Sequence, residues 1–145
     1  MSAPKPQLLD WGSKLQIQSI GLRYEILRRP LGLFFNPEEL ADEHAQWHVG
    51  MTDGDRVVAV LLLKITDGKI AKMRQVAVAE TLQGKGIGKE MVRFSEALCR
   101  QNNINRIELH ARKTAVPFYL SLGYHTEGDT FEEVGIPHVK MSIQL

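Results

Sequence analysis

The residues whose types and spacing could do chemistry are concentrated in one glycine-rich segment between a strand pattern and a helix pattern. An apolar run ends with Val76, Ala77 and Val78, and a loop of small and charged residues follows it: Gln83, Gly84, Lys85, Gly86, Ile87, Gly88 and Lys89. Glycines let the backbone approach a bulky anion and point successive N–H groups towards it. The helix that begins here adds unpaired amides, and the lysines add full positive charge. The segment predicts a cradle for a diphosphate.

Spacing separates this segment from two other phosphate-binding motifs. The NTPase loop requires a glycine, four residues and then Gly-Lys-Ser/Thr, whereas Gly88-Lys89 is followed by Glu90. The dinucleotide pattern Gly-x-Gly-x-x-Gly also fails, because these glycines recur at every second residue. A glycine-rich turn that binds no ligand stays open as an alternative.

The pattern that does fit is Gln-x-x-Gly-x-Gly, at Gln83, Gly86 and Gly88. It resembles the pyrophosphate signature of the GNAT N-acyltransferase superfamily. The ending Phe131-Glu132-Glu133-x-Gly135-Ile136-Pro137-His138-x-x-Met141, with Asp42-Glu43-His44 before the second strand, resembles a bacterial subgroup of small single-domain members with unassigned substrates. Residues 115–124 add a further resemblance, to the family pattern Ala-x-x-Phe-Tyr-x-x-x-Gly-Phe/Tyr. The resemblance implies an acetyl-CoA-dependent N-acetyltransferase, with acetyl-CoA as co-substrate and no metal.

The resemblance also implies roles for particular residues. Backbone groups of Val76, Ala77 and Val78 would pair with the pantetheine arm, and Tyr119 would protonate the departing thiolate. A free tyrosine has a pKa of about 10, so it is protonated at neutral pH. Many family members carry an asparagine seven residues before this tyrosine, where this chain has Arg112. We assign Arg112 to the cofactor site, with exposure to solvent as the alternative.

Direct attack by a neutral amine on the thioester also requires a group that removes a proton. The candidates are His138 and Glu132 as catalytic residues and Arg23, His44 and Glu133 in the acceptor pocket, with His110 and His48 as further histidines. We expect His44, Glu132, Glu133 and His138 to line one cavity. The alternative for each histidine is an ordinary surface or core residue. The arginines of the first helix, Arg23, Arg28 and Arg29, could attract an acidic acceptor or form a solvated face.

The elements that must position these residues follow from periodicity and turn signals. Residues 12–29 and 89–101 predict helices, Asn36 and Pro37 begin a short one, and Gly123 ends another over 114–122. Strands are predicted at 47–51, 56–65, 69–79, 104–111, 124–131 and 138–143. This order predicts one α+β (mixed α/β) domain over residues 1–145, with residues 1–10 as an irregular or edge-strand arm. The resemblance implies a mixed, mostly antiparallel sheet that is splayed at the cofactor strand and flanked by helices.

Composition limits the remaining possibilities. The 18 lysines and arginines nearly balance 17 acidic residues, giving a formal charge of +1, so we expect no nucleic-acid or membrane partner. One cysteine, Cys99, allows no internal disulfide, and the first residues do not resemble a signal peptide, which together favour a cytoplasmic location. A small-molecule amine is favoured over a protein acceptor, and the resemblance is compatible with a homodimer. An acyl-CoA-binding sensor without turnover and an O-acyltransferase remain alternatives.

Overall fold

The computed structural model describes residues 3–145. Its seven strands are β1 (Lys5–Leu9), β2 (Trp47–Asp53), β3 (Arg56–Asp67), β4 (Ile70–Val78), β5 (Arg106–Arg112), β6 (His125–Glu133) and β7 (Ile136–Gln144). They form one sheet in the order β1-β2-β3-β4-β5-β7-β6. The β4–β5 pair is parallel and the other five pairs are antiparallel. The predicted mixed, mostly antiparallel α+β architecture is therefore confirmed.

Four helices flank the sheet, and short turns adjoin them. They are α1 (Lys14–Arg23), α2 (Pro37–Asp42), α3 (Ile87–Gln101) and α4 (Val116–Ser121). Helix α1 continues as a π-helical turn over Tyr24–Arg28 and a 3₁₀ turn over Arg29–Leu31. Asn36 caps α2 by accepting a hydrogen bond from the backbone N–H of Glu38, as its type predicts. Gly123, at φ +96°, follows the end of α4.

Strand β3 is the centre of the core because its apolar run is covered on both faces. Leu61 and Leu63 face the cluster that contains Met91 and Val92 of α3. Val60 and Leu62 face the opposite side, where Leu22, Ile26 and Leu27 of α1 and its π-helical turn pack against them. A strand that is apolar at consecutive positions has this two-sided environment. Helices therefore cover both faces of the sheet at β3, the strand next to β4.

The arm at residues 1–10 was expected to be irregular or an edge strand, and its described part is an edge strand. Residues Lys5–Leu9 pair antiparallel with β2, so that Leu9 faces His48 and Gln7 faces Gly50. The Leu9 side chain packs closely over Gly50, where an added Cβ would lie 2.6 Å from Leu9 Cδ1. The absence of a side chain at Gly50 therefore makes room for Leu9 where β1 pairs with β2.

Strand β4 is bulged and then leaves its neighbour. Arg74 pairs with Leu62 and Ala77 with Val60, so Gln75 and Val76 together stand opposite Leu61. Gln75 adopts φ +55°, in the left-handed region that non-glycine residues rarely occupy. Pairing between β4 and β5 ends at Met73 and Leu109, although both strands continue beyond that point. The two strands are therefore splayed, as predicted.

Cys99 is buried in α3, and burial raises the pKa of its thiol to about 11. This agrees with its interpretation as a small apolar core residue rather than a nucleophile. Across residues 3–145 we find no helix that is both long enough and apolar enough to cross a membrane.

Candidate active site

A cavity of about 1050 Å³ lies where β4 and β5 diverge. Its walls come from six parts of the chain: the π-helical turn after α1, Glu39 of α2, the bulged half of β4, the glycine-rich loop, the end of β5 with α4, and the β6–β7 hairpin. The splay between two parallel strands creates this space, because backbone groups of β4 beyond the bulge no longer pair with β5. The cavity is therefore a direct consequence of the sheet geometry.

The glycine-rich loop forms one end of the cavity. Gly84 and Gly86 have φ +78° and φ +81°, and a Cβ added to either would meet no atom within 4 Å. Gly86 is the N-cap residue of α3, so the free backbone N–H groups of the first helical turn are found here. Gln83 donates from Nε2 to the carbonyl oxygen of Val78 at 3.0 Å, which ties the loop to the end of β4. The open space, positive φ angles and helix terminus fit a diphosphate group.

Most of the predicted cofactor residues line this cavity. Those that do are Val76, Ala77, Val78, Gln83, Gly84, Gly86, Gly88, Lys89 and Arg112. Lys85 is exposed and does not line it, and the side chain of Ile87 points into the core beside Met91. Ile87 could therefore contribute to a diphosphate site only through its backbone. Gly88 has a different environment, because a Cβ added to it would make an ordinary van der Waals contact with the Phe118 ring at 3.4 Å.

Tyr119 lies on α4 and lines the same cavity, with 5% of its surface exposed. Burial raises the pKa of Tyr119 to about 12, so its hydroxyl is protonated throughout the neutral range. The neighbouring aromatic residues hold the ring in place, with Phe118 and Tyr124 both in edge-on contact. Tyr124 has a structural environment, since its hydroxyl donates to the buried carboxylate of Glu96 at 2.9 Å.

The β6–β7 hairpin brings a carboxylate between two histidines. His110 Nδ1 lies 2.9 Å from Glu133 Oε1, and His138 Nε2 lies 3.6 Å from Glu133 Oε2. Burial raises the pKa of Glu133, but the His110 hydrogen bond and the charges of His110, His138 and Lys72 outweigh burial, and the net pKa is lowered. The ionised carboxylate can only accept hydrogen bonds, so the proton of a neutral His110 lies on Nδ1 and Nε2 is free. All three side chains line the cavity.

Three predicted site residues lie elsewhere. Arg23 is fully buried and forms a two-point ion pair with Glu43, with Nη1–Oε1 and Nη2–Oε2 distances of 2.9 and 2.8 Å. His44 is exposed near Trp11 and does not line the cavity. Glu132 does not line the cavity either, because successive strand residues point to opposite faces and its neighbour Glu133, which is also exposed, lies on the cavity side. The expectation that His44, Glu132, Glu133 and His138 share one cavity is thus corrected: the structure brings only Glu133 and His138 together.

Among the cavity residues that the sequence analysis did not predict are Arg74 and Gln75, both at the bulge. The side-chain oxygen Oε1 of Gln75 is buried and has no hydrogen-bond partner among residues 3–145. Nothing in the local sequence marks a bulge here, because its position depends on pairing with β3. No local signal in the sequence distinguishes His110 from the other histidines.

Comparisons with known proteins identify the protein family to which the chain belongs. Residues 33–145 match the family model of the acetyltransferase (GNAT) domain, so the chain belongs to the GNAT acetyltransferase family. The chain is 31% identical over 78 residues to the uncharacterized protein YyaT of Bacillus subtilis (strain 168), a match that covers 54% of this chain and 53% of that protein. The chain spans about half the length of the first two curated Bacillus subtilis relatives that it matches.

Solved structures agree with the fold. Escherichia coli ElaA superposes with a TM-score of 0.82 at 21% identity, over 97% of this chain and 99% of that chain. A GNAT family acetyltransferase from Elizabethkingia anophelis, solved with acetyl-CoA bound, superposes with a TM-score of 0.77 at 12% identity, over 100% of each chain. At these identities the similarity establishes the fold.

Proposed function

We propose that this protein transfers the acetyl group of acetyl-CoA to the amine of a small molecule by direct attack. The observation that carries the proposal is that one cavity joins a glycine cradle, an unpaired strand edge, a buried tyrosine and a histidine–carboxylate pair. Each of these four features serves one requirement of the reaction. Acetyl-CoA supplies an activated thioester carbonyl, and the chain supplies the binding groups and the proton transfers.

Binding of the cofactor is assigned to the glycine-rich loop and the end of β4. Backbone N–H groups of residues 84–88 and the first turn of α3 would hold the diphosphate, and Lys89 adds positive charge at the cavity wall. The backbone of Val76, Ala77 and Val78 lies beyond the last pairing between β4 and β5, so its free hydrogen-bonding groups can receive an extended arm as an added strand. A backbone N–H in this strand, that of Val76 in our proposal, would polarise the carbonyl.

Proton removal from the amine is assigned to the β6–β7 side of the cavity. The carboxylate of Glu133 holds His110 through Nδ1 and leaves Nε2 as the acceptor, which is the arrangement of an oriented general base. His138 donates from Nδ1 to the carbonyl oxygen of Ile136 at 2.8 Å and faces the other oxygen of Glu133. We therefore propose His110 as the base, Glu133 as its positioning residue and His138 as a second imidazole for relay of the proton. The proposed base is therefore His110, and the catalytic role predicted for Glu132 from the sequence is dropped.

Protonation of the leaving thiolate is assigned to Tyr119. The reaction forms the nitrogen–carbon bond of the amide and breaks the carbon–sulfur bond of the thioester. The amine proton passes to His110, and the phenol proton of Tyr119 passes to sulfur, so the products are an N-acetylated amine and CoA thiol. A phenol with a pKa of about 12 is fully protonated at neutral pH and can act as the donor, and the tyrosinate that remains regains a proton from the imidazolium of His110 through solvent.

The experiment combines binding and turnover. Isothermal calorimetry measures CoA affinity, and a thiol-release assay with acetyl-CoA screens amines of different charge beside the corresponding alcohols. We expect CoA binding together with amine-dependent thiol release and N-acetylated product by mass spectrometry. Failure of the protein to bind CoA would contradict both the assignment of the diphosphate cradle and the proposed function. CoA binding without thiol release for any amine would instead favour the acyl-CoA sensor, and release with alcohols alone would favour O-acylation.

A further inference from the structure

The cavity wall carries positive charge on elements other than the glycine-rich loop. Three guanidinium groups line it, those of Arg28, Arg74 and Arg112, and two lysines raise the cationic side chains to five against two carboxylates. The chain as a whole has a formal charge of only +1. This local excess of positive charge selects for a negatively charged ligand.

Two of the three guanidinium groups have partners that leave their charge unbalanced. Arg112 donates from Nη2 to the carbonyl oxygen of Leu27 at 3.3 Å, and Arg74 donates from Nη1 to the neutral side chain of Gln46 at 2.8 Å. The carboxylate near Arg74 is Glu43 at 3.6 Å, but Arg23 already binds both of its oxygens. These contacts orient the guanidinium groups without neutralising the pair.

Arg28 is the least satisfied of the three. Among residues 3–145 its side chain has no hydrogen bond and no carboxylate within 4.0 Å, and its guanidinium carbon lies 5.0 Å from the ring centroid of Phe35. Burial lowers the pKa of Arg28, and the positive charges of Arg23, Arg112 and Arg74 lower it further, against the opposing charge of Glu39. A half-buried cation surrounded by other cations is unfavourable until an anion binds.

Arg74 is separated from the diphosphate cradle along β4. The glycine loop follows Val78, whereas Arg74 stands four residues earlier, before the bulge, which is about 13 Å along an extended strand. Arg112 is bonded to Leu27, the residue before Arg28, so the ends of β5 and of the π-helical turn are held together. Arg112 and Arg74 both act electrostatically on Arg28, so the three guanidinium groups lie near one another on the cavity wall.

We propose that the acceptor is an amine that also carries a carboxylate, and that Arg28 binds this carboxylate with Arg74 and Arg112 beside it. This inference rests on the proposed function and specifies its substrate class. A guanidinium group matches a carboxylate through two parallel hydrogen bonds, which fixes orientation as well as position. The amine end of such a molecule then lies in the cavity that Glu133 and His110 share. Polyamines, which carry only positive charge, are disfavoured by the same wall.

The test compares each amino acid with its own carboxamide, so that only the negative charge changes. The standard α-amino acids, β-alanine and 4-aminobutanoate are each assayed beside the amide, with acetyl-CoA saturating. For the preferred compound we expect kcat/KM at least about tenfold higher for the carboxylate than for the amide, because the amide leaves a buried cation without its partner. Calorimetry on the CoA-bound protein gives the same comparison for binding.

Arg28→Gln is expected to abolish the preference for the carboxylate over the amide while leaving CoA affinity unchanged. The matched control is Arg29→Gln, since Arg29 is the adjacent arginine, is exposed and pairs with Glu25 outside the cavity. Amides that are bound and acetylated as well as their acids would overturn the proposal and leave the acetyltransferase function standing. An Arg28→Gln protein that loses CoA affinity instead would assign the arginine to the cofactor phosphates. Failure of the parent protein to bind CoA would contradict the proposed function itself.

Discussion

His110 and Glu133 are joined by a 2.9 Å contact between an imidazole nitrogen and a carboxylate oxygen, although 23 residues separate them in the chain. The contact connects β5 to the end of β6, and β7 lies between these two strands in the sheet. It therefore exists only when the β6–β7 hairpin is folded against β5. In the proposed mechanism this pair supplies an oriented base, and the role of Glu133 can be tested separately from that of the adjacent Glu132.

Glu133→Gln should lower kcat by about 10- to 100-fold, because the amide no longer holds the proton of His110 on Nδ1. His110→Gln should lower kcat at least as much. The matched control is Glu132→Gln, which changes the adjacent exposed carboxylate outside the cavity. Steady-state kinetics with saturating acetyl-CoA measure the difference. If Glu132→Gln were the slower enzyme, the assignment to Glu133 would be wrong.

Gly86→Ala should weaken CoA binding by about tenfold or more, since a methyl group would enter the space assigned to the diphosphate. The residue also has φ +81°, so alanine adds backbone strain of about 1 kcal/mol. Gly12→Ala is the control, because Gly12 has φ +78°, open space around its Cβ and no place in the cavity lining. Calorimetry should show the affinity loss for Gly86 alone, while thermal unfolding shows similar destabilisation for both. Equal CoA affinity in the two variants would mean that the cradle is misassigned.

Tyr119→Phe should lower kcat by about tenfold or more and leave CoA affinity within a few-fold, because it removes a proton donor and little packing. Tyr124→Phe is the comparison, since its hydroxyl bonds Glu96 instead of facing the chemistry and its loss should reduce stability first. An unchanged turnover of Tyr119→Phe, measured under conditions where chemistry limits the rate, would exclude the role.

The raised pKa of Tyr119 also predicts a pH dependence of stability. The folded protein holds the phenol proton up to a pH of about 12, whereas the unfolded chain releases it at about 10. The unfolded state therefore binds fewer protons between these values, and the contribution of Tyr119 to stability is complete below pH 10 and is lost as the pH rises towards 12. The phenolate absorbance of the parent protein minus that of Tyr119→Phe follows this titration. A midpoint at the ordinary tyrosine value would contradict the buried environment.

Glu43→Gln should destabilise the fold by about 3 to 5 kcal/mol, because it leaves the buried guanidinium of Arg23 without its counter-charge. Glu25→Gln breaks an exposed pair with Arg29 and should leave stability unchanged within error. Urea unfolding of both variants measures the difference. A small loss for Glu43→Gln would imply that other groups compensate, and the ion pair would not be a main contributor to the stability of the fold.

The sequence by itself determined the features whose causes are local. Three glycines at alternate positions before an amphipathic helix identify the cradle, because positive φ angles and a helix terminus are properties of a short segment. Apolar residues at consecutive positions in β3 identify the central strand for the same reason, and Asn36-Pro37 and Gly123 mark helix ends. Tyr119 could also be placed on its helix before the structure was known, and the family pattern around it pointed towards the cofactor.

Only the tertiary structure determines which residues line the side of the cavity assigned to the acceptor amine, because pairing between distant strands fixes which side chains face inward. A shift of one position along β6 turns Glu133 into the cavity and Glu132 away from it, and no local pattern distinguishes two adjacent glutamates. The same applies to the arginines of the first helix: Arg23 is paired with Glu43, Arg29 is exposed, and Arg28 reaches the cavity through the π-helical turn. The bulge at Gln75 follows from pairing with β3. The chemistry of these residues is encoded in their types, but their convergence is a property of the folded sheet.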